Sequence, residues 1–113
     1  MLVERKEYIE KETNLTYVES VFKSENILKT TYFPHSQRLY IAFSRGDTYL
    51  YSGVSPEIYQ EFEDAAESHG KFFHKSIKNK FPTQRTFKLL LYELEGLREV
   101  IENHIPEEDE ENE

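Results

Sequence analysis

Between Ile27 and Tyr51, three runs of β-forming residues are joined by connections of four residues or fewer, which leaves room for little except antiparallel hairpins. Ile27–Phe33 is rich in β-branched and aromatic side chains, and Pro34-His35-Ser36-Gln37 reads as a turn. In Arg38–Ser44, Leu39, Ile41 and Phe43 recur at period two. Arg45-Gly46-Asp47 then reverses the chain, and Thr48–Tyr51 returns as a third strand. A three-stranded antiparallel meander is therefore expected.

The residues after the meander change period. Ser55 is an N-cap, Pro56 suits the first helical turn and Glu57 complements the helix dipole. Ile58, Phe62 and Ala65 form an apolar stripe, and Gly70 can end this helix. A second short helix is expected over Lys71–Lys80, burying Phe73 and Ile77 with Phe72 beside them. Past Phe81-Pro82, with Thr83 as a cap, residues 84–104 place Phe87, Leu90, Leu91, Leu94, Leu97 and Ile101 on one side of a long amphipathic helix. Its outer side carries Glu93, Glu95, Glu99 and Glu102. The predicted class is α+β: a three-stranded meander packed on two short helices, with a long C-terminal helix added. Residues 1–23 read as an N-terminal extension, with a helix broken near Asn14 and a short strand at Tyr17–Phe22. Residues 24–81 form the domain, 82–105 the C-terminal helix, and 106–113 a disordered acidic tail.

Charge is strongly segregated along the chain. The net charge is −8, yet residues 69–88 hold six basic groups and no acidic one, while residues 89–113 carry −9. Lys71, Lys75 and Lys78 recur at helical spacing on the face opposite Phe73 and Ile77, so the basic island is expected as a ridge, with Lys80 and Arg85 beyond it. Such a ridge either meets a polyanion or pairs with the acidic helix that follows it.

Other classes fall away. No stretch reaches the eighteen apolar residues of a membrane span, and the N-terminal residues lack the apolar core of a secretory signal, so a cytoplasmic location is expected. The absence of cysteine removes disulfides, thiol nucleophiles and cysteine metal sites. His69 and His74 are five apart, and neither they nor His35 and His104 complete a ligand spacing, so no metal or cofactor is expected. There is no glycine-rich phosphate loop, GxSxG elbow or HExxH, and no catalytic residue is proposed.

Ser24-Glu25-Asn26-Ile27, Leu39-x-Ile41-x-Phe43, Gly46, Tyr49-x-Tyr51, Gly53-Val54, Tyr59, Ala65 and Ser68-x-Gly70-Lys71-Phe72-Phe73, followed by Ile77 and Phe81, occur in an order and spacing that resembles the KTSC domain. The family is named for the C-terminal domain of some lysyl-tRNA synthetases and occurs as small stand-alone bacterial and phage proteins. The resemblance spans residues 24–81 and carries no established activity. Its association with a tRNA-charging enzyme implies RNA binding by analogy. This chain departs from the pattern with His74 where Asn is common, and with Leu50 where a polar residue is common.

Two binding functions are expected from these readings. In the first, Lys71, Lys75, Lys78, Lys80 and Arg85 contact the phosphates of RNA or another single strand. If Arg45-Gly46 is a two-residue turn, Ile41 faces Leu50, and Tyr49 and Tyr51 join Tyr40 on the sheet face away from the core, where rings can stack bases. A register one residue different places Tyr49 and Tyr51 in the core instead. In the second function, Glu95, Glu99 and Glu102, with the tail residues Glu107, Glu108 and Asp109, engage a basic protein surface, as an accessory or inhibitory phage protein would.

Overall fold

A computed structural model describes residues 1–65 and 68–104. The fold is α+β, but the sheet has six strands rather than three. In chain order the elements are β1 (Leu2–Ile9), β2 (Thr16–Phe22), β3 (Ile27–Phe33), β4 (Arg38–Phe43), β5 (Asp47–Ser52), α1 (Pro56–Glu63), α2 (His69–Phe72), β6 (Thr83–Lys88) and α3 (Leu91–Glu102). The sheet is antiparallel throughout, and its strand order follows the chain from β1 to β6. No helix among the described residues is long and apolar enough to cross a membrane.

The expected central meander is present, with a corrected register. The Gly46 N–H donates to the Phe43 carbonyl at 2.7 Å, and Gly46 takes φ +94°, a conformation that glycine adopts without steric cost. This makes a three-residue hairpin loop in place of the two-residue one. Ile41 therefore faces Tyr49, and Leu39 faces Tyr51. Shifting the pairing by one residue turns both tyrosines to the face that carries Leu39 and Ile41.

That face is covered by α1 and α2. Phe22, Ile27, Tyr32, Leu39, Ile41 and Tyr51 of the strands pack against Val54, Tyr59, Phe62, Phe73 and Ile77. The buried side of α1 is Tyr59, Phe62 and Glu63, so the expected stripe turns: Ile58 is half-buried and Ala65 lies past the helix end. The Ser55 side chain caps α1 by accepting from the Ile58 N–H at 3.2 Å, with Pro56 at the start as expected. The second expected helix divides. α2 runs directly into a π-helical segment, Phe73–Ile77, closed by the Lys78 N–H donating to the Phe73 carbonyl at 2.8 Å. Lys78 itself has left the helix, with φ −59° and ψ 128°.

Two sequence readings are overturned at the margins. In residues 1–23 the expected short strand is present as β2, but the expected helix is a further strand, β1, and both join the same sheet through a tight reversal in which Asn14 takes φ 59°. Residues 84–104 are not one helix: Thr83–Lys88 pairs with β5 as an edge strand, and α3 begins at Leu91. Thr83, Thr86 and Phe87 favour a strand, and β5 supplies the partner. The acidic run expected as a tail lies outside the described residues.

The second face of the sheet carries Tyr8, Tyr17, Phe33 and Tyr40 in a row across four strands. Tyr8 stacks on Tyr17 at 5.3 Å and Tyr17 on Phe33 at 5.0 Å between ring centroids. α3 reaches across this face to β2, and Leu94 is buried there.

Candidate functional site

A concavity lined by aromatic and polar side chains lies on the helix-covered face, between the ends of β4 and β5 and the α2–π segment. It is a cleft of about 530 Å³. Its floor is aromatic, with Phe43, Tyr49, Tyr51 and Phe73 meeting edge to face: Phe43–Tyr49 at 5.9 Å, Phe43–Phe73 at 5.3 Å and Tyr51–Phe73 at 5.5 Å. Burial, with Tyr49 next to it, pushes the Tyr51 phenol up to about 12, so it stays neutral at any ordinary pH.

The rim is polar and comes from separate stretches of chain. Asn26 enters from the β2–β3 connection, Ser44 and Arg45 from the β4–β5 turn, and His74, Lys78 and Asn79 from the π segment and its exit. Asn26 is held in place by its carbonyl, which accepts from the Ser44 N–H at 2.7 Å. Asp47 is the acidic group on this rim, and Arg85 binds it at 2.9 Å. A second groove, about 730 Å³, shares Asn26, Gly70 and His74 with the first and adds Lys23, Glu25 and Lys71. The two grooves form one track with cations along it.

The expected binding residues separate on this frame. Lys71 and Lys78 line the track, while Lys75 and Lys80 are exposed beside it. The regular ridge is not formed, because Lys78 sits in the extended exit from the helix rather than on its third turn. Arg85 is tied to Asp47 through an exposed ion pair. The three tyrosines do not share a platform: Tyr49 and Tyr51 floor the cleft, and Tyr40 stands on the opposite face, beside Phe33. Of the acidic residues, Glu95, Glu99 and Glu102 are exposed on α3, whereas Glu107, Glu108 and Asp109 lie outside the described residues. Among the described residues, no lysine of the basic island forms an ion pair with an α3 glutamate. Arg45 and Asn79 were not marked by sequence reasoning, since each stands alone in a turn with no periodic pattern to flag it, and Asn26 was marked only as part of the resemblance, with no binding role.

Sequence reasoning also missed a buried polar network under α1. The Glu63 carboxylate accepts from Ser20 Oγ at 2.7 Å, from the Tyr59 hydroxyl at 3.2 Å, and from Arg5 Nε at 3.2 and 3.3 Å. Thr30 Oγ1 and the Tyr59 hydroxyl share a bond of 2.9 Å. His69, which completes no ligand spacing in the sequence, is 2% exposed, with Nε2 at 3.2 Å from the Glu63 carbonyl. Burial pushes the His69 pKa down, favouring neutral imidazole. Every buried polar side-chain atom among the described residues has a partner, so this network ties elements together rather than presenting a reactive group.

Comparison with known proteins addresses the segment of the chain that builds the cleft. The model of the KTSC domain matches residues 23–81. A protein of Tsukamurella paurometabola is 39% identical over 59 residues, covering 52% of this chain and 87% of that protein. The crystal structure of a KTSC domain protein from Yersinia pestis superposes with a TM-score of 0.59 at 34% identity, covering 63% of this chain and 99% of that one. β1, β2, β6 and α3 all lie outside residues 23–81, so the matched segment is the centre of a sheet that this chain extends at both edges. Asn26, Phe43, Tyr49, Gly70 and Phe73, among the residues that carry the resemblance, line the cleft. The chain belongs to the KTSC domain family.

Proposed function

We propose that this protein is a non-catalytic module of the cytoplasm that binds single-stranded nucleic acid, RNA foremost, in the track between the sheet and the α2–π segment. One observation supports this above the rest: cations from separate segments, Arg45 and Lys78, stand on the rim of a cleft whose floor is four aromatic rings, and Lys71 lines the adjoining groove. The cations meet phosphates, and the cleft has the size for one unpaired base over an apolar floor. Among the described residues, the acidic side chain on the cleft rim, Asp47, is already paired with Arg85, and Glu25 lines the adjoining groove. Lys75 and Lys80 add long-range attraction from beside the track.

The test is a salt titration of binding to labelled single-stranded RNA and DNA. Each phosphate contact contributes about −0.7 to the slope of log K against log salt for a single strand. The variant K71E/K75E/K78E, which removes the two contacts of Lys71 and Lys78, is expected to flatten that slope by about 1.4. Absence of binding even at low salt overturns the proposal.

A second reading, attachment of the acidic C-terminal segment to a basic protein surface, draws on the exposure of Glu95, Glu99 and Glu102 and their lack of an ion-pair partner among the described residues. Partner capture that survives removal of residues 89–113 would sink it.

A further inference from the structure

We infer that the outer edge of β6, together with the apolar residues that follow it, is the contact surface for a second copy of this chain, the two β6 strands pairing antiparallel about a two-fold axis.

The two edges of the sheet are treated differently. β1 is blunted as a soluble edge should be: it carries Glu4, Arg5, Lys6 and Glu7, with ion pairs Lys6–Glu4 at 3.3 Å and Arg5–Glu7 at 3.7 Å, and its pairing is interrupted by a bulge. β6 has no such dense run of charge, and every one of its residues is exposed. The Ser52 N–H donates inward to the Pro82 carbonyl at 3.0 Å, so by the alternation of an antiparallel ladder Thr83 and Arg85 direct their N–H and C=O groups outward. At the end of the strand and just beyond it, Phe87, Leu90, Leu91 and Tyr92 are 53, 58, 67 and 72% exposed. A free strand edge beside four large exposed apolar side chains is the combination that soluble monomers avoid.

The charge order along the chain selects a second copy over another partner. The basic island stands before and within β6, and the acidic residues begin just after it, at Glu93 and Glu95. Antiparallel pairing of a strand with itself lays the segment preceding it in one copy beside the segment following it in the other. Lys80 of each copy is thereby brought alongside the start of α3 of its mate, which supplies the opposite charge that it does not find within its own chain among the described residues. A partner of single-sign charge would satisfy only half of this edge. A two-fold axis perpendicular to the sheet keeps the aromatic clefts of both copies on one side.

Sedimentation velocity and light scattering on the full chain test this directly. The expected particle has twice the 13.5 kDa chain mass and dissociates more readily, by at least about tenfold in Kd, as salt is raised through the range that screens surface charges. F87D/L91D places charge on exposed apolar positions, and T83P removes one outward N–H. Both are expected to yield monomer with an unchanged thermal melt measured at a concentration where the wild type is also monomeric. A wild-type chain that stays monomeric at concentrations well above about 100 μM overturns the inference. So does a dimer that ignores both variants, or an assembly larger than two.

Discussion

Arg5 and Glu63, 58 positions apart in sequence, are joined by both carboxylate oxygens to one guanidinium nitrogen, at 3.2 and 3.3 Å, with the carboxylate buried and the arginine partly open to water. This contact fastens β1, which lies outside the family-matched segment, to α1 within it. Glu63 also serves Ser20 and Tyr59, so its removal takes an acceptor from three donors at once, of which Tyr59 keeps its bond to Thr30. E63A is expected to lose about 3 kcal/mol in urea unfolding, and R5A, which leaves a buried carboxylate without its cation, a comparable amount. A loss below about 1 kcal/mol for E63A would show that the network contributes little to holding β1 in place.

Gly46 sets the register of the β4–β5 hairpin, and its backbone conformation suits glycine alone among ordinary residues. A Cβ at this position would also come within 3.3 Å of Leu94 Cδ1 on α3. G46A is expected to cost about 1–3 kcal/mol in chemical unfolding. Gly96 provides the contrast: nothing lies within 4 Å of a Cβ built there, and G96A is expected to stabilise α3 by up to about 1 kcal/mol.

His69 links stability to pH. Its pKa in the folded chain is depressed by burial, so below the ordinary value of about 6.5 the unfolded chain takes up a proton before the folded chain does. Stability contributed by this group is full above pH 6.5 and declines as pH falls from there through the folded pKa. Urea midpoints across the interval from about pH 7 to 5 should show the decline, and H69Q should flatten its histidine component.

Tyr32 and Tyr51 act at the alkaline end. Burial raises both phenols to about 12 from 10, and the Tyr32 hydroxyl donates to the Val54 carbonyl at 2.6 Å. Their contribution is complete below pH 10 and is lost as pH rises from 10 through 12. Ultraviolet titration should find at least two phenols that ionise only as the fold opens. Y32F is expected to cost about 1 kcal/mol through the lost hydrogen bond.

The cleft floor and rim can be separated in nucleic-acid binding. Y49S removes an aromatic face without touching a cation, so affinity should fall by about 1–3 kcal/mol while the salt slope stays constant. R45E should change the slope by about 0.7. A salt slope that moves with Y49S, or an affinity that ignores it, would place the bound strand outside the cleft.

The sequence showed most where structure is set locally. Ile27–Phe33, Arg38–Phe43 and the Ser55-Pro56 start of α1 were legible because alternation, turn residues and caps act within a few positions. β6 was not: the spacing of Phe87, Leu90, Leu91 and Leu94 reads as a helix, and only β5, over thirty residues upstream, makes Thr83–Lys88 a strand. β1 was obscured for the opposite reason, because an exposed edge strand has no need of a regular apolar alternation. The tyrosine register depended on a single residue of loop length, which Gly46 decided. Glu63 was hidden because a buried carboxylate looks like any other glutamate on a helix until Ser20, Tyr59 and Arg5 are brought around it.

Strand order that follows chain order also fixes how the sheet answers to force. Tension applied between Leu2 and Lys88 would load β1 where Leu2 faces Phe22, and β6 where Lys88 faces Asp47, each at the free end of an antiparallel pair. The ladder hydrogen bonds would then break in succession, as in a zipper, instead of bearing the load together in shear. At the β1 end the terminal amine of Met1, against the Lys23 carbonyl and His69 Nδ1, is met first, and the Arg5–Glu63 pair is the side-chain clamp behind it, so resistance to pulling at this margin is graded from the chain end inward.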